Sequence, residues 1–98
     1  MKYDDFIRIR DEGIIPEDIH VLLQALLLDA AGDWDSAHRI ARDEFTKQGY
    51  RVHAYLHRKE GDMSNATYWY NNAGMKTPQT SLEEEWESIA RELIQIHQ

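Results

Sequence analysis

His53 and His57 stand four residues apart, and Glu60 follows three later. On a helix these positions share one face. Two imidazoles and a carboxylate in that pattern suit a divalent metal such as zinc. Asp35 and His38 add ligands if the preceding helix turns them toward the same cleft. The pattern departs from His-Glu-x-x-His, because Ala54 stands where a metalloprotease carries its general base. The plainer reading is one buried histidine bonded across a helical pair and one exposed histidine. Ser36, Ser64, Ser81 and Ser88 read as helix-start or helix-surface residues, and none lies in a Gly-x-Ser-x-Gly elbow. No phosphate loop or dinucleotide fingerprint occurs, so no organic cofactor is implied and a non-enzymatic chain is expected unless metal is found.

Helices must position these groups, because the apolar spacing is helical throughout and no segment alternates as a strand does. A short first helix is expected over residues 4–12, ended by Gly13. Pro16 suits the first turn of a second helix, with Glu17 and Asp18 at its positive end. Ile19, Leu22, Leu23, Leu26 and Leu27 make that helix apolar nearly all round, so it needs cover on more than one side. Asp33 caps a third helix whose inner face is Trp34, Ala37, Ile40, Ala41 and Phe45. Gly49 separates it from a fourth helix over residues 50–60, and Met63, Ala66, Trp69, Tyr70 and Ala73 line a fifth. The last helix starts near Ser81, which forms a capping box with Glu84. Leu82, Trp86, Ile89, Leu93 and Ile96 form its dry stripe, and Glu84, Glu85, Glu87, Ser88, Arg91, Glu92 and Gln95 its wet side.

The strongest signal is a repeat. Gly32-Asp33 recurs 29 residues later as Gly61-Asp62, with Ala25 and Ala54 seven residues before each glycine and Ala37 and Ala66 four after each aspartate. Glycine permits the sharp corner, aspartate caps the next helix, and the alanines let two backbones approach. Neither pair can bury its apolar face alone, so the two must stack. The expected fold is all-α: one domain over 1–98, with hairpins at 16–47 and 50–74, a short N-terminal helix and an amphipathic capping helix at 81–97.

Gly61-Asp62, Ala66, Tyr70, Ala73 and Pro78, with Ala54 before them, resemble the tetratricopeptide repeat and its Sel1-like relatives. The first unit departs from that pattern, with Ala41 where an aromatic is usual and Glu44 where alanine is usual, and its period implies a truncated loop near Gln48-Gly49. The run from Val52 to Asp62 and the later Tyr68-Trp69-Tyr70 are also similar to a group of small uncharacterised proteins, a likeness that brings no activity with it.

The repeat resemblance implies a concave face lined by the first helix of each hairpin. Arg51, Tyr55, Arg58 and Lys59 would then form a basic spot able to hold a peptide carboxylate or an acidic segment. Alternatively, Arg58 and Lys59 pair with the nearby Glu60 and Asp62, and the first helix or a second copy of the chain covers the leucines of the first hairpin. Trp69 and Tyr70 cannot both face inward from one helix face, so an exposed Tyr68 or Trp69 becomes a contact anchor. The expected function is a protein-interaction or scaffold module, with a metal-binding protein or metal-dependent hydrolase using His53, His57 and Glu60 as the alternative. The partner is a protein or peptide, and the apolar second helix also suits a homodimer.

Composition narrows the classes further. The 98 residues carry 11 basic and 18 acidic side chains, a formal charge of −7, which repels nucleic acid and anionic lipid. The absence of cysteine removes disulfides, thiolate metal sites and cysteine nucleophiles. No signal peptide and no membrane-spanning run are read, and the expected compartment is the cytoplasm.

Overall fold

A computed structural model of the chain describes residues 1–97, in which there are six helices and no strand. They are α1 (Tyr3–Glu12), α2 (Val21–Ala30), α3 (Trp34–Arg42), α4 (Lys47–Lys59), α5 (Met63–Asn72) and α6 (Leu82–Ile96). The helices pack as stacked hairpins, α2 on α3 and α4 on α5, with α3 joining the two pairs against α4. None is long and apolar enough to cross a membrane.

The two corners are built alike. Gly32 and Gly61 take φ of +90° and +87°, a region that side chains rarely enter. Each places the following aspartate N–H on a carbonyl five residues back, Leu28 O at 2.9 Å and His57 O at 3.0 Å. Asp33 and Asp62 then cap α3 and α5 by accepting from Ser36 N (3.1 Å) and Asn65 N (3.3 Å). Ala25, Ala37, Ala54 and Ala66 are fully buried. Ala66→Leu is therefore expected to cost about 1–3 kcal/mol by overpacking. That corresponds to roughly 5–20 °C in the thermal unfolding midpoint of a chain this size. An unchanged midpoint would mean that α4 and α5 do not meet closely there.

Several boundaries differ from those read in the sequence. The second helix begins at Val21 rather than Pro16. His20 caps it, its Nδ1 accepting from Leu22 N at 3.1 Å, while Gln24 Nε2 donates back to the Pro16 carbonyl at 2.8 Å and holds the preceding turn. The third helix ends at Arg42, and Phe45, expected on its inner face, is 79% exposed in the reversal that follows. Thr46 caps α4, accepting from Gly49 N at 3.0 Å. Gly49 is thus inside the first turn of α4 and not a separator. It is required there because a Cβ would lie 2.1 Å from the Glu44 carbonyl oxygen. Met63 and Ile96, expected to face inward, are exposed.

The larger difference concerns α6. It packs along α2 and α4, the first helices of both hairpins, and not at one end of the stack. Trp86, Ile89, Leu93 and Ile94 are buried there, each contributing roughly 1.5–3 kcal/mol by leaving water. Trp86 Nε1 donates to the Leu26 carbonyl at 3.2 Å, and Phe6 of α1 stacks on the same indole at 5.6 Å. The leucines of α2 are thus covered within the chain. Glu85, read as part of the wet side, is buried, because its position points between α4 and α5 where Arg58 and Tyr70 wait for a carboxylate.

Candidate metal centre

The Asp33 cap starts α3 and sets His38 in its second turn, while the Thr46 cap starts α4 and sets His53 and His57 one turn apart. Packing of α3 on α4 brings the three rings together. His38 Nε2 lies 3.0 Å from His53 Nε2. The centroids stand 4.7 Å (His38–His53), 5.0 Å (His38–His57) and 4.8 Å (His53–His57) apart. One ring nitrogen of each lies within 4.8 Å of the others. His53 and His57 are 5% and 7% exposed, and His38 is half-buried.

Aromatic rings wall the cluster. Trp34 lies flat on His38 at 4.8 Å and 8°, and meets His57 edge-on at 5.8 Å. Trp69 of α5 stacks on His53 at 4.3 Å, with Tyr50 and Tyr68 against its other sides. Trp34 is itself fixed by donating Nε1–H to the Leu56 carbonyl at 2.9 Å. Glu60 Oε1 is 2.5 Å from His57 Nδ1. That contact orients the ring and leaves Nε2 for a ligand, as an outer carboxylate does for metal-bound histidine.

Burial pushes the His53 imidazole down to about 4, helped by electrostatic repulsion from the neighbouring His38, His57 and Arg42. Burial, then His57 and Arg42, also lowers His38. Both are neutral at pH 7, the form that binds metal. The sign for stability follows. Between the unfolded value near 6.5 and the folded value near 4, the unfolded chain holds a proton that the folded chain refuses. Metal-free protein is therefore expected to lose stability as pH falls through that window. His53→Gln should flatten the loss in chemical denaturation between pH 6.5 and 4.5, and equal slopes in the two proteins would contradict the burial of a neutral His53.

Of the ligands read from the sequence, His53 and His57 meet, with His38 as the third. Glu60 is a partner of His57 Nδ1, and Asp35 is exposed at the start of α3. Glu60 and Asp62 also group with His57 on its outer side, where Asp62 is occupied in capping α5. The walls formed by Trp34 and Trp69 escaped the sequence reading. The signal available was Trp34 four residues before His38, one helical turn away.

The basic spot is turned inward upon the chain's own acids. Arg51 bonds to Glu92 and to Ser88 Oγ (3.0 Å) of α6. Arg58 donates to Glu85 Oε1 at 2.7 Å and to the Thr80 carbonyl. Lys59 Nζ reaches Asp29 Oδ1 at 2.9 Å, and the Tyr55 hydroxyl donates to Asp29 Oδ2 at 3.3 Å. Arg58 and Lys59 thus find their acids in α6 and α2, rather than in Glu60 and Asp62. Burial first, then the Asp29 carboxylate, raises the Tyr55 phenol far above its ordinary value. Tyr68 is exposed, and Trp69 is half-buried against His53.

A cleft of about 770 Å³ opens where α1, α2, α4 and α6 meet, but no histidine lines it. Its lining carries two basic side chains, Arg10 and Lys59, and three acidic ones, Asp29, Glu83 and Glu87, and Lys59 pairs with Asp29. No protein-family model, curated protein or solved structure matches the chain.

Proposed function

We propose that this is a metal-binding protein in which His38, His53 and His57 hold one divalent transition metal, zinc being the ion that three imidazoles suit well. The observation that carries the reading is the 3.0 Å approach of two ring nitrogens beside a third imidazole whose far nitrogen is held by Glu60. Zinc–nitrogen bonds of 2.0–2.1 Å in a tetrahedron set ligand nitrogens about 3.3 Å apart. The His38–His53 pair is already near that spacing, and His57 needs a modest closure. A metal here ties α3 of the first hairpin to α4 of the second. Three protein ligands leave a fourth position for water or another oxygen. In this reading the hairpins, which resemble tetratricopeptide units, are a rigid frame for the centre.

A peptide-binding role through Arg51, Tyr55, Arg58, Lys59, Tyr68 and Trp69 requires Arg51 and Arg58 to leave α6 and the loop before it, and Tyr55 and Lys59 to leave Asp29 of α2. Calorimetric titration of untagged protein with zinc tests the metal reading. One zinc per chain is expected, with affinity at least about tenfold weaker in His38→Ala. No uptake, or equal uptake by the variant, would overturn it.

A further inference from the structure

The cleft where α1, α2, α4 and α6 meet has the volume of a small-molecule site, about 770 Å³. Most of its charges are matched within the chain. Lys59 Nζ lies 2.9 Å from Asp29 Oδ1, and Arg10 lies 3.1 Å from Asp11. Glu87 lies 2.8 Å from Arg91. Glu83 is exposed and has no ion pair or hydrogen bond among the described residues. The charge left over in the cleft is therefore negative. Glu83 and Glu87 stand four residues apart on α6, one turn along the same side, and both line the cleft. The Glu87–Arg91 pair is an exposed one, of a kind that holds weakly. Arg10 already lies over the Trp86 ring at 5.3 Å and Arg91 over the Tyr3 ring at 4.1 Å, so these aromatic faces are taken. The half-buried side chains of Ile7 and Leu82 leave apolar surface in the same cleft.

We propose that this cleft binds a small primary amine, its ammonium bridging Glu83 and Glu87 and its apolar body lying on Ile7 and Leu82. An ammonium carries three donors and no acceptor, which suits two carboxylates one turn apart. An anion of the same shape meets two carboxylates and no unmatched cation, so the cleft refuses it. The acidic chain as a whole draws cations toward this surface. The site goes beyond the metal reading and does not depend on it, since no histidine lines the cleft.

Phenethylammonium and phenylpropanoate, a cation and an anion of like shape, test this site. Each is titrated at pH 7 into isotopically labelled, untagged protein with chelator present, and backbone amide shifts are followed by NMR. Saturable shifts at Leu82, Glu83 and Glu87 are expected with the amine, at a half-saturation point at least about tenfold below that of the carboxylate. Glu83→Gln is expected to raise that point by about threefold to fivefold. Glu17→Gln, which removes an exposed acid outside the cleft, should leave it unchanged. No saturable shift at these amides, binding of the carboxylate as tight as that of the amine, or equal half-saturation in the two variants overturns the amine site. Each of these results leaves the metal centre standing.

Discussion

Replacing Glu85 with alanine should lower stability by about 3–5 kcal/mol, the cost of stripping one partner from a buried charge pair. Glu85 is 1% exposed and accepts from the Tyr70 hydroxyl at 2.6 and 2.8 Å and from Arg58 at 2.7 Å. Its loss leaves a buried phenol without an acceptor and a mostly buried guanidinium without its counter-charge, with only the Thr80 carbonyl still bonded to Arg58. Tyr70 is itself fully buried, and burial, then the Glu85 carboxylate, raises its phenol well above the ordinary value. The comparison is Glu87→Ala in the same acidic run. Glu87 makes an exposed i,i+4 pair with Arg91 at 2.8 Å, and its removal should cost no more than about 1 kcal/mol. Urea unfolding of the two variants separates them, since a difference this large moves the midpoint well beyond error. Equal midpoints would show that Glu85 is not the bond between α6 and the second hairpin.

Zinc should produce the second large effect. At free zinc of 100 times the dissociation constant, a ligand that binds only the folded chain adds about 2.7 kcal/mol. For a domain of this length that raises the thermal midpoint by roughly 10–20 °C. The gain is expected to be large because the proposed ligands come from two helices of different hairpins, so unfolding would separate them and release a bound metal. His38→Ala should abolish the gain, separately from any fall in the metal-free midpoint caused by losing its stack on Trp34 and its bond to His53. Scanning calorimetry with zinc and with chelator measures both. A zinc-induced rise that survives His38→Ala would place the metal elsewhere.

What the sequence disclosed was local chemistry. The Gly-Asp corners, the four alanines and the Ser81–Glu84 capping box were legible because each depends on neighbours a few residues away. The spacing of His53 and His57 was legible for the same reason, since one helix carries both. His38 was only a conditional ligand, because its place depends on how α3 docks against α4. Glu60 shares that face by spacing, and the structure adds what spacing does not carry, its contact with His57 Nδ1. Glu85 was hidden in a run of acids. Its position three after Leu82 and four before Ile89 sets it beside the dry stripe, but charge outweighed periodicity in the reading. The course of α6 was least legible, because an amphipathic terminal helix covers an end or a face with the same pattern. The Pro16-Glu17-Asp18 signal for a helix start misled, because a turn closed by Gln24 and capped at His20 competes with it.

X-ray absorption at the zinc edge of the loaded, untagged protein tests the metal centre most directly. Three imidazole nitrogens at about 2.0–2.1 Å with one further light atom are expected. That imidazole signature should weaken in His53→Gln. A shell of oxygens alone, or an unaltered spectrum in the variant, would contradict a centre built from His38, His53 and His57.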